Sequence, residues 1–142
     1  MESSVTSNTY IASRGAVESF LISLREILTS NEFNAEQDLD ILLKKQHELM
    51  NDPFTTQNTL LALGFNAEDV SKQLAALRVH DYYCSVIDNK DPTSSVFHAF
   101  IICLDSRNVY IKVKIRDFSG HKVFCVSFHF ARYSVGILPY AS

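Results

Sequence analysis

The strongest constraint on the fold is a strict two-residue alternation over residues 109–116. Apolar residues occupy every odd position there, and Tyr, Lys or Arg occupies every even position. Successive side chains on a β-strand point to opposite sides of the sheet, so this period is typical of a strand with one buried face. A second β-rich run covers residues 121–129, after an Asp-Phe-Ser-Gly segment with turn formers at both ends. The sequence therefore predicts an antiparallel hairpin.

One face of this hairpin is predicted to be polar and rich in cations. If Arg116 faces His121 across the turn, Tyr110 faces Ser127, and His129 lies one diagonal step away. The predicted face consists of Tyr110, Lys112, Lys114, Arg116, His121, Cys125, Ser127 and His129. It holds no carboxylate, so it would suit a polyanion, and its imidazoles and phenol could transfer protons on a phosphodiester. The alternative is an ordinary solvated face whose Lys and Arg residues oppose edge-to-edge aggregation.

The side of the sheet on which His98 lies depends on the loop before the hairpin. With a two-residue Ser106-Arg107 turn, His98 points to the core side, away from Tyr110. With an odd number of loop residues, it joins Tyr110 on the polar face. Both positions stay open at this point, the core position being the commoner one for a single histidine among apolar residues.

The remaining periodicity predicts helices followed by a sheet. Apolar residues at three- and four-residue steps predict helices over residues 16–28, 34–50, 55–64 and 67–77. The second of these begins with a capping-box pattern at Asn34. Antiparallel strands are expected at about residues 80–87, 95–104, 108–117 and 121–130.

These elements predict an α+β fold in which N-terminal helices pack on a small, about four-stranded antiparallel sheet. Since 142 residues suffice for one ordinary core, we expect a single domain over residues 1–142. Residues 1–52 would be an N-terminal helical extension, residues 53–78 further helices, and residues 79–142 the sheet with the polar face.

Composition and charge limit the cell compartment and the partners. No leader pattern and no apolar run of membrane-spanning length occurs, so we expect a soluble, cytoplasmic protein without a membrane partner. The three cysteines lack C-x-x-C spacing, which predicts buried thiols and neither disulfides nor a zinc site. Residues 1–77 hold five Lys or Arg against eleven Asp or Glu, for −6, and residues 78–142 hold eight against five, for +3. The sheet half is therefore the part suited to an anionic partner.

Six short motifs in the order found here resemble the MqsR family of bacterial toxins. They lie at residues 55–56, 63–70, 74–77, 81–85, 109–112 and 126–129. The resemblance covers about residues 53–130, and its most specific parts are the Val-Tyr-Ile-Lys strand and the Ser-Phe strand. It implies a RelE-like fold, with a small antiparallel sheet flanked by helices. It also implies a toxin of a type II toxin–antitoxin system, an endoribonuclease that cleaves mRNA and is neutralised by a cognate antitoxin protein.

The resemblance further implies cleavage of RNA without a metal or other cofactor. Such a reaction needs a base for the ribose 2′-OH, an acid for the leaving oxygen and cations for the charge on the phosphate. Tyr110 matches the family's active-site tyrosine, whereas Cys84 and His129 stand where the best-known members have lysines. We expect His129 to be the general base or acid and Tyr110 either its partner or the group that orients the 2′-OH. Lys112 would stabilise the phosphorane, with His98 as a conditional fourth catalytic residue.

Four more residues are candidate RNA contacts. Lys114, Arg116 and Arg132 would be backbone-binding cations, and Cys84 would lie beside the RNA in an uncertain role.

Other functions stay open. The chain could be a RelE-like binding module without nuclease activity, whose acidic helical half docks a protein partner. It could also be a toxin that cleaves mRNA only on the ribosome, where the ribosome positions the RNA. The N-terminal helices could pair between two chains as a homo-oligomer.

Overall fold

One mixed six-stranded sheet organises the chain, which the computed structural model describes over residues 8–91, 95–116 and 122–142. The strands are β1 (Thr9–Tyr10), β2 (Leu39–Ile41), β3 (Tyr82–Val86), β4 (Phe97–Leu104), β5 (Arg107–Ile115) and β6 (Val123–Phe130). Their order across the sheet is β1-β3-β4-β5-β6-β2. The helices are α1 (Arg14–Leu28), α2 (Ala35–Asp38), α3 (Thr56–Leu63) and α4 (Ala67–Ala75), and a 3₁₀ turn covers Val79–Asp81.

The four strands predicted from the sequence form the centre of this sheet, and the α+β class is confirmed. β3 to β6 pair antiparallel with their neighbours. Two short strands from the N-terminal half lie at the edges, β1 antiparallel to β3 and β2 parallel to β6. The expectation of four purely antiparallel strands is therefore wrong, because strands of two and three residues are too short to show a period in the sequence.

The predicted helix over residues 34–50 is wrong beyond its first turn. Asn34 caps α2 as expected, since its side chain accepts hydrogen bonds from the N–H groups of the next turn, but the helix ends at Asp38. The chain then pairs with β6 and buries Leu39 to 4% exposure. By contrast Leu49 and Met50, which suggested a helical stripe, are 70% and 82% exposed. Pairing with an existing strand edge outweighs the weak helical preference of this segment.

Helices α1 and α4 cover the sheet face formed by the odd residues of β5. Val109, Ile111 and Val113 of that strand are fully buried, as are Val17 of α1 and Val70 of α4. All five belong to one hydrophobic core, so the predicted N-terminal extension is part of the core. α1 begins after a Ser13 cap, and α3 ends at Gly64 in the left-handed conformation that the sequence suggests.

Helix α3 takes the place of a strand along the outer edge of β6 beyond β2. The Thr56 hydroxyl accepts a hydrogen bond from the Phe128 N–H at 3.1 Å, and the Thr59 hydroxyl accepts one from the Phe130 N–H at 3.0 Å. Both threonines are buried. Two backbone donors that a sheet edge would leave unpaired are thus satisfied by side chains.

Within the residues described, no helix is both long enough and apolar enough to cross a membrane.

We predict that Thr59→Val lowers the free energy of unfolding by about 1–3 kcal/mol, because it leaves the buried Phe130 N–H without an acceptor at nearly constant shape. Urea unfolding monitored by circular dichroism measures the change. Thr59→Ser keeps the hydroxyl and serves as the control, expected to be the more stable of the two variants. Equal stability of wild type and Thr59→Val would show that the hydroxyl does not stabilise the edge.

Candidate functional site

Tyr110 and His129 face each other directly across β5 and β6, with ring centroids 5.4 Å apart. The predicted register placed Ser127 opposite Tyr110, but Ser127 is the partner of Lys112. The observed partner lies two residues further along β6. Ile115 already pairs with Val123, one residue beyond the predicted register, and a β-bulge adds the second residue, since Lys112 pairs with Ser127 whereas Val113 pairs with Cys125. Together these two shifts bring His129 nearer to Tyr110 than the sequence suggested.

The one-residue offset already present at Ile115–Val123 puts Cys125 on the core side of the sheet, where it pairs with Val113 and not with Lys112. Its thiol is fully buried in the core and donates a hydrogen bond to the Ser127 carbonyl at 3.2 Å. Burial raises the pKa of Cys125 to about 12. The prediction that Cys125 belongs to the polar face is therefore wrong. His121, which was predicted on the same face, lies outside the described residues.

His129 presents one ring nitrogen to the site. Its Nδ1 lies 3.0 Å from the Phe130 carbonyl oxygen, which can only accept a hydrogen bond, so Nδ1 carries the proton of the neutral ring. Nε2 then carries the lone pair that can accept a proton. Burial lowers the pKa of His129 below its ordinary 6.5, against the opposing effect of the Phe130 carbonyl. At neutral pH the ring is a neutral proton acceptor.

Tyr110 keeps its proton at neutral pH. Burial raises the pKa of its hydroxyl above the ordinary value of 10, and Cys84 and Tyr83 raise it further. A phenol in this state donates hydrogen bonds and does not act as a base.

Two lysines from distant parts of the sequence lie next to this pair. The Lys45 ammonium donates a hydrogen bond to the Ser127 hydroxyl at 3.1 Å, and Ser127 is the cross-strand partner of Lys112. Burial lowers the pKa of Lys112, and the positive charge of Lys45 lowers it further. Burial also lowers the pKa of Lys45. The Lys112 ammonium makes no hydrogen bond or ion pair within the described ranges, and it lies 5.8 Å from the centroid of the Phe97 ring.

Cys84 lies on the same face as Lys112. It pairs with Ala99 on β4, which in turn pairs with Lys112 on β5. Burial raises the pKa of the Cys84 thiol, and the Lys112 charge only partly opposes that shift. A neutral thiol fills the place next to Lys112, so Cys84 adds no charge for a phosphate.

The three predicted backbone-binding cations are engaged in ion pairs. The Lys114 ammonium and the Arg116 guanidinium lie 2.9 Å from the carboxylates of Asp88 and Asp40, respectively. Arg132 pairs with Asp52, which lowers the pKa of that carboxyl. The expectation of a face without carboxylates is therefore wrong. Loops and β2 deliver acidic groups that sequence spacing could not place, and they neutralise these cations.

His98 lies on the other side of the sheet from Tyr110. The β4–β5 loop is a two-residue turn, Asp105-Ser106, in which both residues have positive φ. Its even length confirms the core position for His98, although the turn lies one residue earlier than predicted. Nδ1 of His98 is 2.8 Å from the Ser85 hydroxyl oxygen, and its ring is 4.3 Å from that of Phe20. His98 is thus not placed to act with Tyr110 or His129.

An open pocket of about 260 Å³ adjoins the Tyr110–His129 pair. Ile101, the cross-strand partner of Tyr110, forms its floor, and residues 131–135 form its rim. Tyr83 lines one side and meets Tyr110 edge to face, with 6.1 Å between ring centroids. The walls are mostly aromatic and apolar, and Tyr110, His129, Arg132 and Ser134 supply the polar groups of the lining.

Sequence reasoning missed Lys45 and Tyr83. Lys45 fell inside a predicted helix, and only the true path of the chain from β2 to α3 brings it over Ser127. A bulge on β3 between Tyr82 and Cys84 turns Tyr83 toward Tyr110. The Lys44-Lys45 pair was the one feature of the sequence that could have suggested a role for Lys45, but it does not show where Lys45 lies in the fold.

The arrangement unites a neutral imidazole, a phenol and two ammonium groups on one partly buried face. Such groups can accept a proton, donate hydrogen bonds and stabilise negative charge on a phosphate. In the described part of the chain, no group of three or more His, Cys, Asp or Glu side chains could hold a metal ion. In comparisons with known proteins, no family model, no curated protein and no solved structure matches this chain significantly.

We predict that His98 makes folding sensitive to mild acid. Burial lowers its pKa from 6.5 to about 4 in the folded protein. Below about pH 6.5 His98 is protonated in the unfolded chain, whereas in the folded protein it stays neutral down to about pH 4. The free energy of unfolding therefore falls across this window, by about 2–3 kcal/mol from this residue.

Urea unfolding at several pH values between 7 and 4 tests this prediction by comparing wild type with His98→Asn. The asparagine amide keeps a polar atom near Ser85 but cannot titrate, so the variant is expected to lose less stability over that range. The acidic residues titrate equally in both proteins and cancel in the difference. Parallel profiles would refute the prediction.

Proposed function

We propose that this chain is an endoribonuclease that cleaves mRNA by attack of a ribose 2′-OH, and that it is the toxin of a type II toxin–antitoxin system. The observation that carries the nuclease proposal is the direct pairing of His129 with Tyr110 beside Lys112 and Lys45. The toxin assignment rests on the resemblance to the MqsR family. A RelE-like arrangement of helices on the sheet, a cognate antitoxin as partner and a cytoplasmic location belong to the same proposal.

His129 would act as the general base. Nε2 takes the proton of the 2′-OH, O2′ forms a bond to phosphorus, and the bond from phosphorus to O5′ breaks. The products are a 2′,3′-cyclic phosphate and a free 5′-OH. The Tyr110 hydroxyl donates a hydrogen bond that orients the ribose or the phosphate, in line with the raised pKa that keeps it protonated.

Lys112 and Lys45 would stabilise the charge that develops on the phosphorane. The Lys45 ammonium bonds to Ser127, the cross-strand partner of Lys112, and Lys112–Ser127 is the next pair on the same face after Tyr110–His129. Burial lowers the pKa of Lys112, which makes its ammonium a stronger acid than an exposed lysine. Lys112 is therefore the group best suited to return a proton to the leaving O5′.

The ion pairs of Lys114, Arg116 and Arg132 favour a second candidate, the binding module without nuclease activity. An RNA that binds this face finds most of the cations near it already neutralised, although affinity for a polyanion depends on free positive charge. The same observation fits a toxin that meets mRNA on the ribosome, where other contacts hold the substrate. Cleavage assays with and without ribosomes separate these functions.

We predict that purified protein cleaves a 5′-labelled RNA in EDTA and that His129→Ala slows cleavage by about 100- to 10,000-fold, the usual contribution of a general base. In acid the wild-type rate should fall because His129 becomes protonated. Since burial lowers the pKa of His129, the fall should occur below the ordinary 6.5 of histidine. At high pH the rate should fall again as Lys112 loses its proton, below the usual 10.5. Single-turnover rates between pH 5 and 10 and mapped product ends provide the measurement.

His80→Ala is the matched control, since His80 is exposed on the 3₁₀ turn and the variant should cleave as wild type does. Expression in bacteria should arrest growth, and His129→Ala should relieve the arrest. If neither free nor ribosome-bound mRNA is cleaved by folded protein, the nuclease proposal fails and the binding module is the better account.

We also predict that Lys45→Met lowers the cleavage rate by about 10- to 100-fold with little change in KM, because Lys45 would act chiefly on the developing charge. Lys44→Met is the control, since it removes the same net charge from a neighbouring lysine whose ammonium bonds only to the Lys45 carbonyl among the described residues. Steady-state kinetics on one RNA compare the two. Equal losses would mean that the effect is a general one of charge.

A further inference from the structure

We propose that the pocket beside Tyr110 and His129 is a nucleobase-binding subsite, and that it holds the nucleobase of the nucleotide whose 2′-OH attacks the phosphate. The proposal deepens the proposed function and rests on it for the identity of that nucleotide. The existence of a base site depends on the pocket alone.

The pocket offers aromatic surface of the kind that unpaired bases stack on. Tyr83 and Tyr110 meet edge to face on one wall, and Tyr133 on the rim is 82% exposed, so its ring can cover a ligand. Proteins that bind single-stranded RNA place unstacked bases against such rings. The Ile101 side chain closes the floor with apolar surface.

The size of the pocket suits one planar ring system. Its volume is about 260 Å³, just below the roughly 300–1,000 Å³ of pockets that enclose drug-sized ligands. A single base fits such a volume, and the attached ribose and phosphate would remain at its open side.

The segment that contains the rim is anchored at Ala131 and at Tyr140. At its start, the Ala131 N–H donates a hydrogen bond to the Asn108 carbonyl on β5 at 2.9 Å. Further along, the Tyr140 hydroxyl donates one to the Ala12 carbonyl at 2.6 Å, and the Tyr140 ring stacks on Tyr82. Between these anchors, the peptide groups of residues 133–135 form no hydrogen bond within the described chain, so they are available to the edge of a base.

The position of the pocket sets the direction of the RNA. Tyr110 and His129 line the pocket, and Lys112 with Ser127 is the next residue pair on the same face of the strands. A base in the pocket brings its own ribose to His129 and its 3′ phosphate to Lys112 and Lys45. The bound base therefore belongs to the nucleotide immediately 5′ of the cleaved bond, and the pocket selects the cleavage site.

Methyl and aromatic NMR of the intact chain, titrated with the four ribonucleoside 3′-monophosphates, tests the base site without requiring cleavage. The Ile101 methyl and the Tyr83 and Tyr110 ring signals should shift on binding. Tyr133→Ala should weaken the Kd by about five- to tenfold, whereas Tyr133→Phe, which keeps the ring, and Tyr10→Ala, at the far sheet edge, should bind as wild type does. Inorganic phosphate should leave the Ile101 signal unchanged.

Failure of the subsite and failure of the nuclease give different results. No Ile101 shift with any nucleotide, or an equal shift with phosphate, would overturn the subsite and leave the pocket to a side chain of a protein partner. Nucleotide binding by a protein that cleaves no RNA would retain the base site and reject the nuclease. On a random-sequence RNA pool, Tyr133→Ala should relax the base preference only at the position 5′ of the cut, and a preference unchanged there would overturn the assignment of the nucleotide.

Discussion

Strand β5 divides the molecule into two faces, and every other feature depends on that division. Val109, Ile111 and Val113 are fully buried under α1 and α4, and Tyr110, Lys112 and Lys114 lie on the opposite side. A shift of one residue in its pairing would exchange the faces and put three polar groups into the core. Burial of the apolar side thus fixes the position of the polar side, so the stability of the core and the geometry of the candidate site have the same origin.

The bulge on β6 gives the site its particular form. Before the bulge, Val123 and Cys125 of β6 point into the core, and after it Ser127 and His129 point to the site face. An unbulged strand could not bury Cys125 and expose His129 on opposite faces, because both positions are odd. The extra residue also places Ser127 opposite Lys112, where the Ser127 hydroxyl accepts a hydrogen bond from the Lys45 ammonium. A local irregularity therefore joins the N-terminal half of the chain to the site.

Much of the fold could be predicted from the sequence, because the central strands and three of the helices carry clear periods and caps. The site was harder to predict for a physical reason. Lys114, Arg116 and Arg132 look identical in sequence to free cations, and only the tertiary path of the loops shows that Asp88, Asp40 and Asp52 meet them. Lys45 was hidden in the same way. Alternation predicts the side of a strand to which a residue points, but it cannot predict bulges or the residues that arrive from other elements.

Because both edge strands come from the start of the chain, the sheet can be completed only late in synthesis. β1 and β2 lie near the start of the chain, yet Thr9 pairs with Val86 and Leu39 pairs with Val123. At about 5–20 residues per second of synthesis, Leu39 waits roughly 4–16 s for its partner. His129 and the rim of the pocket emerge later still. A nascent chain thus lacks the complete face until Val135 has been added, and if that face cleaves mRNA as proposed, the chain cannot do so before that point.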